Sequence, residues 1–216
     1  MFRLANRFRG MIAMDSPNAE RADSFMLWVD AVGGFWVCLA DEVILGQPAR
    51  CGTADIPILA DISSRHARIR RDGEGYLIEA IREVQVEGRR VDRLASLSHG
   101  NRIVLGERVR LVFRRPHALS ATARLDFESH HRTYPSADAV LLMADSCILG
   151  PHSRSHVVCP DWPHEVVLYR HDEELYCRTS GDYEIDGVPC RGRGRITRNS
   201  RVGGEGFSLK LEEIGS

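Results

Sequence analysis

The chain has 216 residues, 43% hydrophobic and 27% charged, with a net charge of −1. That is enough for one or two globular domains of about 100 residues each, and it lacks the strongly basic balance of a dedicated nucleic-acid binder. No run of roughly 18 apolar residues occurs, so neither a membrane-spanning helix nor membrane attachment is expected.

Lys210 is the sole lysine beside 28 arginines, a bias that genomic codon usage explains as readily as anion recognition. The six cysteines, Cys38, Cys51, Cys147, Cys159, Cys177 and Cys190, form no Cys-x-x-Cys pair. They read as reduced packing thiols of a cytoplasmic protein.

In chain order, residues 1–24 interleave Phe2, Leu4, Phe8, Met11 and Ile12 with Arg3, Arg7 and Arg9. This weak amphipathic pattern reads as a poorly ordered N-terminal extension. Apolar runs at 25–29, 35–39, 43–45, 67–69, 76–78, 84–86, 103–105 and 109–113 then alternate with turn residues at short, regular intervals. Gly33-Gly34, Asp72-Gly73, Glu87-Gly88 and His99-Gly100-Asn101 supply the turns, where glycine accepts positive φ at low cost. The pattern predicts an all-β sandwich or barrel without long helices.

Between two of these strands lies Ile62-Ser63-Ser64-Arg65-His66-Ala67, which gathers hydroxyls, a guanidinium and an imidazole at one loop. A phosphate dianion needs short, charge-assisted hydrogen bonds of the kind that Ser63, Ser64 and Arg65 can donate. Serines in such a loop also serve ordinary turn chemistry, and His66 reads as a semi-buried structural residue.

The chain repeats itself. Residues 39–46 recur as 143–150 at an offset of 104, and farther on Tyr76-Leu77-Ile78 pairs with Leu175-Tyr176-Cys177 at an offset of 99. The second copy has lost five residues from an intervening loop, where loss is tolerated. The expected division is residues 25–116, a linker at 117–122, and residues 123–216.

In the second copy, Trp162-Pro163-His164-Glu165 stands where the first has Ser63-Ser64-Arg65-His66. Packing is the expected role of Trp162, with a surface anchor as the alternative. His152, His156, Cys159 and His164 match no common zinc spacing, so no metal is expected. Residues 191–195, Arg-Gly-Arg-Gly-Arg, read as a solvated hairpin connection. With no nucleophile elbow, phosphate-binding loop or metalloprotease helix, the chain is expected to have no catalytic residues and no cofactor.

Gly46 ending a strand, Ser63-x-x-His66, Val86-Glu87-Gly88 and the run from Leu97 to Gly106 follow the order and spacing of forkhead-associated (FHA) domains, which residues 25–116 resemble. The resemblance implies two tandem FHA-like β-sandwiches, the second degenerate, and a phosphothreonine-peptide site on the loops at one end of the first. Carried across residue by residue, it implies phosphopeptide binding by Gly46, Gln47, Ser63, Ser64, Arg65 and Arg82, with His66 and Gly88 as structural support. Two positions depart from the family pattern: Gln47 replaces an arginine, and Ile81-Arg82-Glu83 replaces a Thr-Asn-Gly turn. Arg82 is donor-only where the family's Asn both donates and accepts. The expected function is a phosphothreonine-dependent adaptor in Ser/Thr kinase signalling, with a kinase or kinase substrate as partner. The rival is a phosphate-independent scaffold or oligomerisation module.

Overall fold

A computed structural model describes residues 24–49, 54–73, 75–117 and 119–214. The N-terminal extension lies outside the described residues, apart from Ser24, which opens the first strand. Among the described residues there are 22 strands and no helix. The first repeat contributes β1 (Ser24–Val29), β2 (Gly33–Cys38), β3 (Glu42–Gly46), β4 (Ile56–Pro57), β5 (Ala67–Asp72) and β6 (Gly75–Ala80). It continues with β7 (Val84–Val86), β8 (Arg89–Arg90), β9 (Leu94–Leu97), β10 (Arg102–Leu105) and β11 (Val109–Arg114). The second repeats the series as β12 (Ala123–Phe127), β13 (Ala139–Leu142), β14 (Ser146–Gly150), β15 (Val157–Val158), β16 (Val166–His171) and β17 (Glu174–Thr179). It closes with β18 (Tyr183–Ile185), β19 (Val188–Cys190), β20 (Arg193–Ile196), β21 (Arg201–Gly204) and β22 (Phe207–Glu213).

All eight strands expected in the first repeat are present. The short strands β4 and β8 escaped the sequence reading, as did β9, because two-residue or exposed segments carry little alternating hydrophobicity.

The strands form two five-stranded sheets, β4-β3-β5-β6-β9 and β15-β14-β16-β17-β20, and one twelve-stranded sheet. The long sheet runs β19-β18-β21-β22-β1-β2-β13-β12-β11-β10-β7-β8. Its order shows that the repeats exchange their first hairpins. β1 lies against β22 of the second repeat, with Leu27 opposite Leu211, while β12 lies against β11 of the first, with Leu125 opposite Phe113. At the centre β2 and β13 pair in parallel, Phe35 beside Ala139 and Cys38 beside Leu142. Leu27 faces Phe35 while its counterpart Leu125 faces Val140, so equivalent residues of β2 and β13 stand one place out of register. Adjacent residues of these strands alternate between two cores, which places the two small sheets on opposite faces of the long one.

The central strands therefore bury both faces. Met26, Trp36, Cys38, Val140 and Leu142 enter the first core, whereas Phe25, Leu27, Val29, Phe35, Val37, Ala139 and Leu141 enter the second. Near-continuous apolar runs such as Ala139-Val140-Leu141-Leu142 follow from that double burial. Each large side chain so buried contributes about 1.5–3 kcal/mol, which commits the β1–β2 hairpin to the second sandwich.

Strands of residues 25–116 and 123–216 thus interleave in the long sheet, and hydrogen bonds hold the segment between them. Thr122 is fully buried, its Oγ1 donating to Ser146 O at 2.6 Å and accepting from Ala144 N at 2.9 Å. Tyr76 Oη donates to Ala121 O at 2.8 Å.

Candidate functional site

The site grows from the ends of β3, β5 and β6. β3 pairs antiparallel with β5 and parallel with β4, so the loops leaving Gly46 and entering Ala67 emerge together. Gly46 is required by close approach rather than by backbone angle: a Cβ there would overlap the Ser64 carbonyl and meet Ser63 O at 2.8 Å. Gln47 N donates to Ser63 O at 3.1 Å, and Ile58 N donates to Gly46 O at 2.7 Å. The two loops are stitched along their backbones.

His66, only 4% exposed, joins them to a third loop. Its Nδ1 accepts from Ser63 N at 3.3 Å, which leaves Nε2–H to donate to Glu83 O at 2.8 Å. Its carbonyl accepts from Ile81 N at 3.2 Å and from Arg82 N at 2.8 Å, while Gly106 N adds a second bond to Glu83 O at 3.0 Å. One buried histidine, through its ring and its backbone carbonyl, thus fixes the positions of Ser63 and Arg82 relative to each other. Ser63 and Ser64 are half-buried, and Gln47, Arg65 and Arg82 are exposed around them. The arrangement offers hydroxyls, a primary amide and two guanidiniums on adjoining loops, a donor set suited to a phosphorylated ligand.

Gly88 lies elsewhere. It forms the two-residue turn between β7 and β8 with Glu87, at φ 72° and 52°, so its support is of that hairpin at the far end of β7. Asp186-Gly187 repeats the turn at φ 53° and 81° in the second copy. Two neighbours of the site were missed by sequence reasoning. Gly106, at φ 60°, has Ile62 and His66 within 3.7 Å of where a Cβ would stand. The segment at 132–134, from the exchanged hairpin, lies along residues 57–59: Leu59 N donates to Arg132 O and Tyr134 N donates to Pro57 O. The positive φ at Gly106 had a signal in its Leu-Gly-Glu turn, whereas the segment at 132–134 depends on pairing between repeats.

The second copy keeps the frame and loses the chemistry. Cys159 N donates to Gly150 O at 2.8 Å, as Ile58 does to Gly46. However, Trp162 is buried against Phe207, ring centroids 5.2 Å apart, and Glu165 replaces the imidazole. Packing is thus the role of Trp162. Among the described residues, no group of three or more His, Cys, Asp or Glu is placed to hold a metal ion. Nor is any described helix long and apolar enough to cross a membrane. Cys38 and Cys147 are buried, and burial pushes the Cys147 thiol up to about 12.

Residues 43–106 match the FHA domain family, a span that contains every proposed binding residue and excludes both exchanged hairpins. Among solved structures, the FHA domain of the CT664 protein from Chlamydia trachomatis is 29% identical, covering 38% of this chain and 89% of that one, with a TM-score of 0.30. The FHA-2 domain of an ABC transporter from Mycobacterium tuberculosis is 21% identical over 60% of this chain and 97% of its own, with a TM-score of 0.36. Mycobacterium tuberculosis EmbR, solved with a low-affinity phosphopeptide, is 24% identical over 42% of this chain and 24% of its own, with a TM-score of 0.33. No curated protein matches the chain.

Proposed function

We propose that this chain is a cytoplasmic, non-enzymatic adaptor in Ser/Thr kinase signalling that binds phosphothreonine segments of a kinase or kinase substrate through the FHA domain at residues 43–106. Ser63, Ser64, Arg65 and Arg82 bind the phosphate, and Gln47 faces the peptide. The observation that carries this reading is the His66 hub, which holds Ser63 and Arg82 on adjoining loops through bonds of 2.8–3.3 Å. A charge-assisted hydrogen bond contributes about 1.5–3 kcal/mol, so two or three suffice for micromolar discrimination between phosphorylated and plain peptide.

The test is calorimetric titration of the whole chain with matched phosphothreonine and threonine peptides. The phosphopeptide is expected to bind more tightly, and Ser63→Ala to weaken it by about tenfold or more. Equal affinity for the two peptides would favour the phosphate-independent scaffold. That second reading draws support from the twelve-stranded sheet, which welds both repeats into one surface.

A further inference from the structure

Each small sheet turns one face to a core and the other to solvent, and the two solvent faces carry different chemistry. On the first, Arg68 of β5 meets Glu42 of β3 at 3.0 Å and Glu79 of β6 at 3.2 Å, so that face is closed by its own ion pairs. The repeat offset of 99 carries Arg68 to Val167 and Glu79 to Arg178, and the offset of 104 carries Glu42 to Ser146. The register is kept, with Arg68 opposite Glu79 in one sheet and Val167 opposite Arg178 in the other. The second face has therefore lost both carboxylates of the network, and an arginine stands where one of them was.

Further arginines follow on the next strand. Leu94 and Ser96 of β9 become Arg193 and Arg195 of β20, with Arg193 directly opposite Arg178 and Arg195 opposite Tyr176. All three arginines are exposed. Glu174 takes up Arg195 at 2.8 Å, whereas Arg178 and Arg193 have no ion pair among the described residues. Like charges facing each other across two strands destabilise a sheet, and an anion laid over them offsets that repulsion. Arg178 also lines an open groove of about 470 Å³ at the end of the sandwich, beside the exposed side chains of His152, His164 and Ser180. The carboxylate of this groove is Glu165, whose side chain lies over Gly150.

Two tyrosines complete the face. The rings of Tyr169 and Tyr176 stack with centroids 5.5 Å apart, and the Arg193 guanidinium lies 5.7 Å from the Tyr176 centroid. Tyr176 is thus flanked by Tyr169 from β16 and by Arg193 from β20, which leaves neither of its ring faces open for a nucleotide base to stack on. A polypeptide needs no free ring face, because its carboxylates reach the guanidiniums while its backbone and methylenes rest on the tyrosine edges. Tyrosine and arginine are the side chains that anchor protein interfaces. At the far edge His171 meets Asp172 at 3.4 Å, so the excess charge is confined to the arginine side.

We propose that the solvent face of the second small sheet, around Arg178, Arg193 and Tyr176, docks an acidic, unphosphorylated segment of a partner protein, separately from residues 43–106. Nitrogen-15 and proton NMR of the whole chain tests it, with a synthetic glutamate-rich peptide, its glutamine counterpart and an oligothymidylate of matched charge titrated in parallel. The glutamate peptide is expected to give saturable shifts at the amides of β16, β17 and β20 and at Arg178 Nε, with an affinity that falls as sodium chloride is raised. Arg178→Glu and Arg193→Leu, which reinstate the side chains of the first repeat, are each expected to weaken binding by about tenfold with the spectrum unchanged elsewhere. Ser63→Ala is expected to leave the shifts intact, which keeps this surface distinguishable from the phosphopeptide site. Absent or unsaturable shifts, equal binding of the glutamine peptide, shifts spread over both small sheets, tighter binding of the oligothymidylate, or loss of binding in Ser63→Ala would overturn the proposal.

Discussion

Truncating Leu27 to alanine tests the hairpin exchange directly, because the residue sits on β1 in the first repeat yet packs in the second core. Leu27 is fully buried beside Phe25, Val29, Leu209 and Leu211, and its register partners are Phe35 and Leu211. A buried Leu→Ala change costs about 2–5 kcal/mol, more where the surroundings cannot collapse. Leu27 lies in a strand buried on both faces and flanked by β2 and β22, so a cost of about 4 kcal/mol is expected. At about 1.4 kcal/mol per factor of ten, that is a loss of roughly a thousandfold in amide protection where opening is governed by this core. Hydrogen exchange followed residue by residue should show the loss centred on β21 and β22, with β10 and β11 affected less. A loss centred on β10 and β11 would mean that β1 pairs within its own repeat, and the exchange would be refuted.

Three further expectations follow from particular contacts. Gly46→Ala should destabilise the chain by about 1–3 kcal/mol and weaken phosphopeptide binding, because the new methyl collides with the Ser64 carbonyl. Gly150→Ala should cost less when the two variants are compared by urea titration, since its methyl first meets the flexible Glu165 side chain at 3.0 Å. His66→Ala should cost about 1–3 kcal/mol by leaving Ser63 N and Glu83 O without their ring partner, and peptide affinity should fall with it. His156 has a folded value near 4 against 6.5 when free, so its contribution is present above pH 6.5 and is lost as pH falls toward 4. Stability should drop by about 2 kcal/mol between pH 7 and pH 5 on this account, and His156→Asn should flatten that part of the unfolding profile.

The amino-acid sequence determined the all-β class, the repeat and the candidate binding loop, because each rests on local chemistry. Alternation and turn glycines specify strands, and Ser63, Ser64, Arg65 and His66 are neighbours in the chain. The close approach at Gly46 was legible only through the family pattern, since its cause is a carbonyl 18 residues away. What the tertiary structure alone decided is which repeat each hairpin completes. β1 and β12 occupy equivalent positions and each could pair with either closing strand by hydrophobic pattern alone. The choice is made by burial of both faces at the β2–β13 seam, where Met26 and Trp36 serve one core while Phe25, Leu27 and Phe35 serve the other. The contact of Arg124 Nη1 with the His156 carbonyl at 3.1 Å follows from that same choice, because it joins β12, which completes the first sandwich, to a loop of the second.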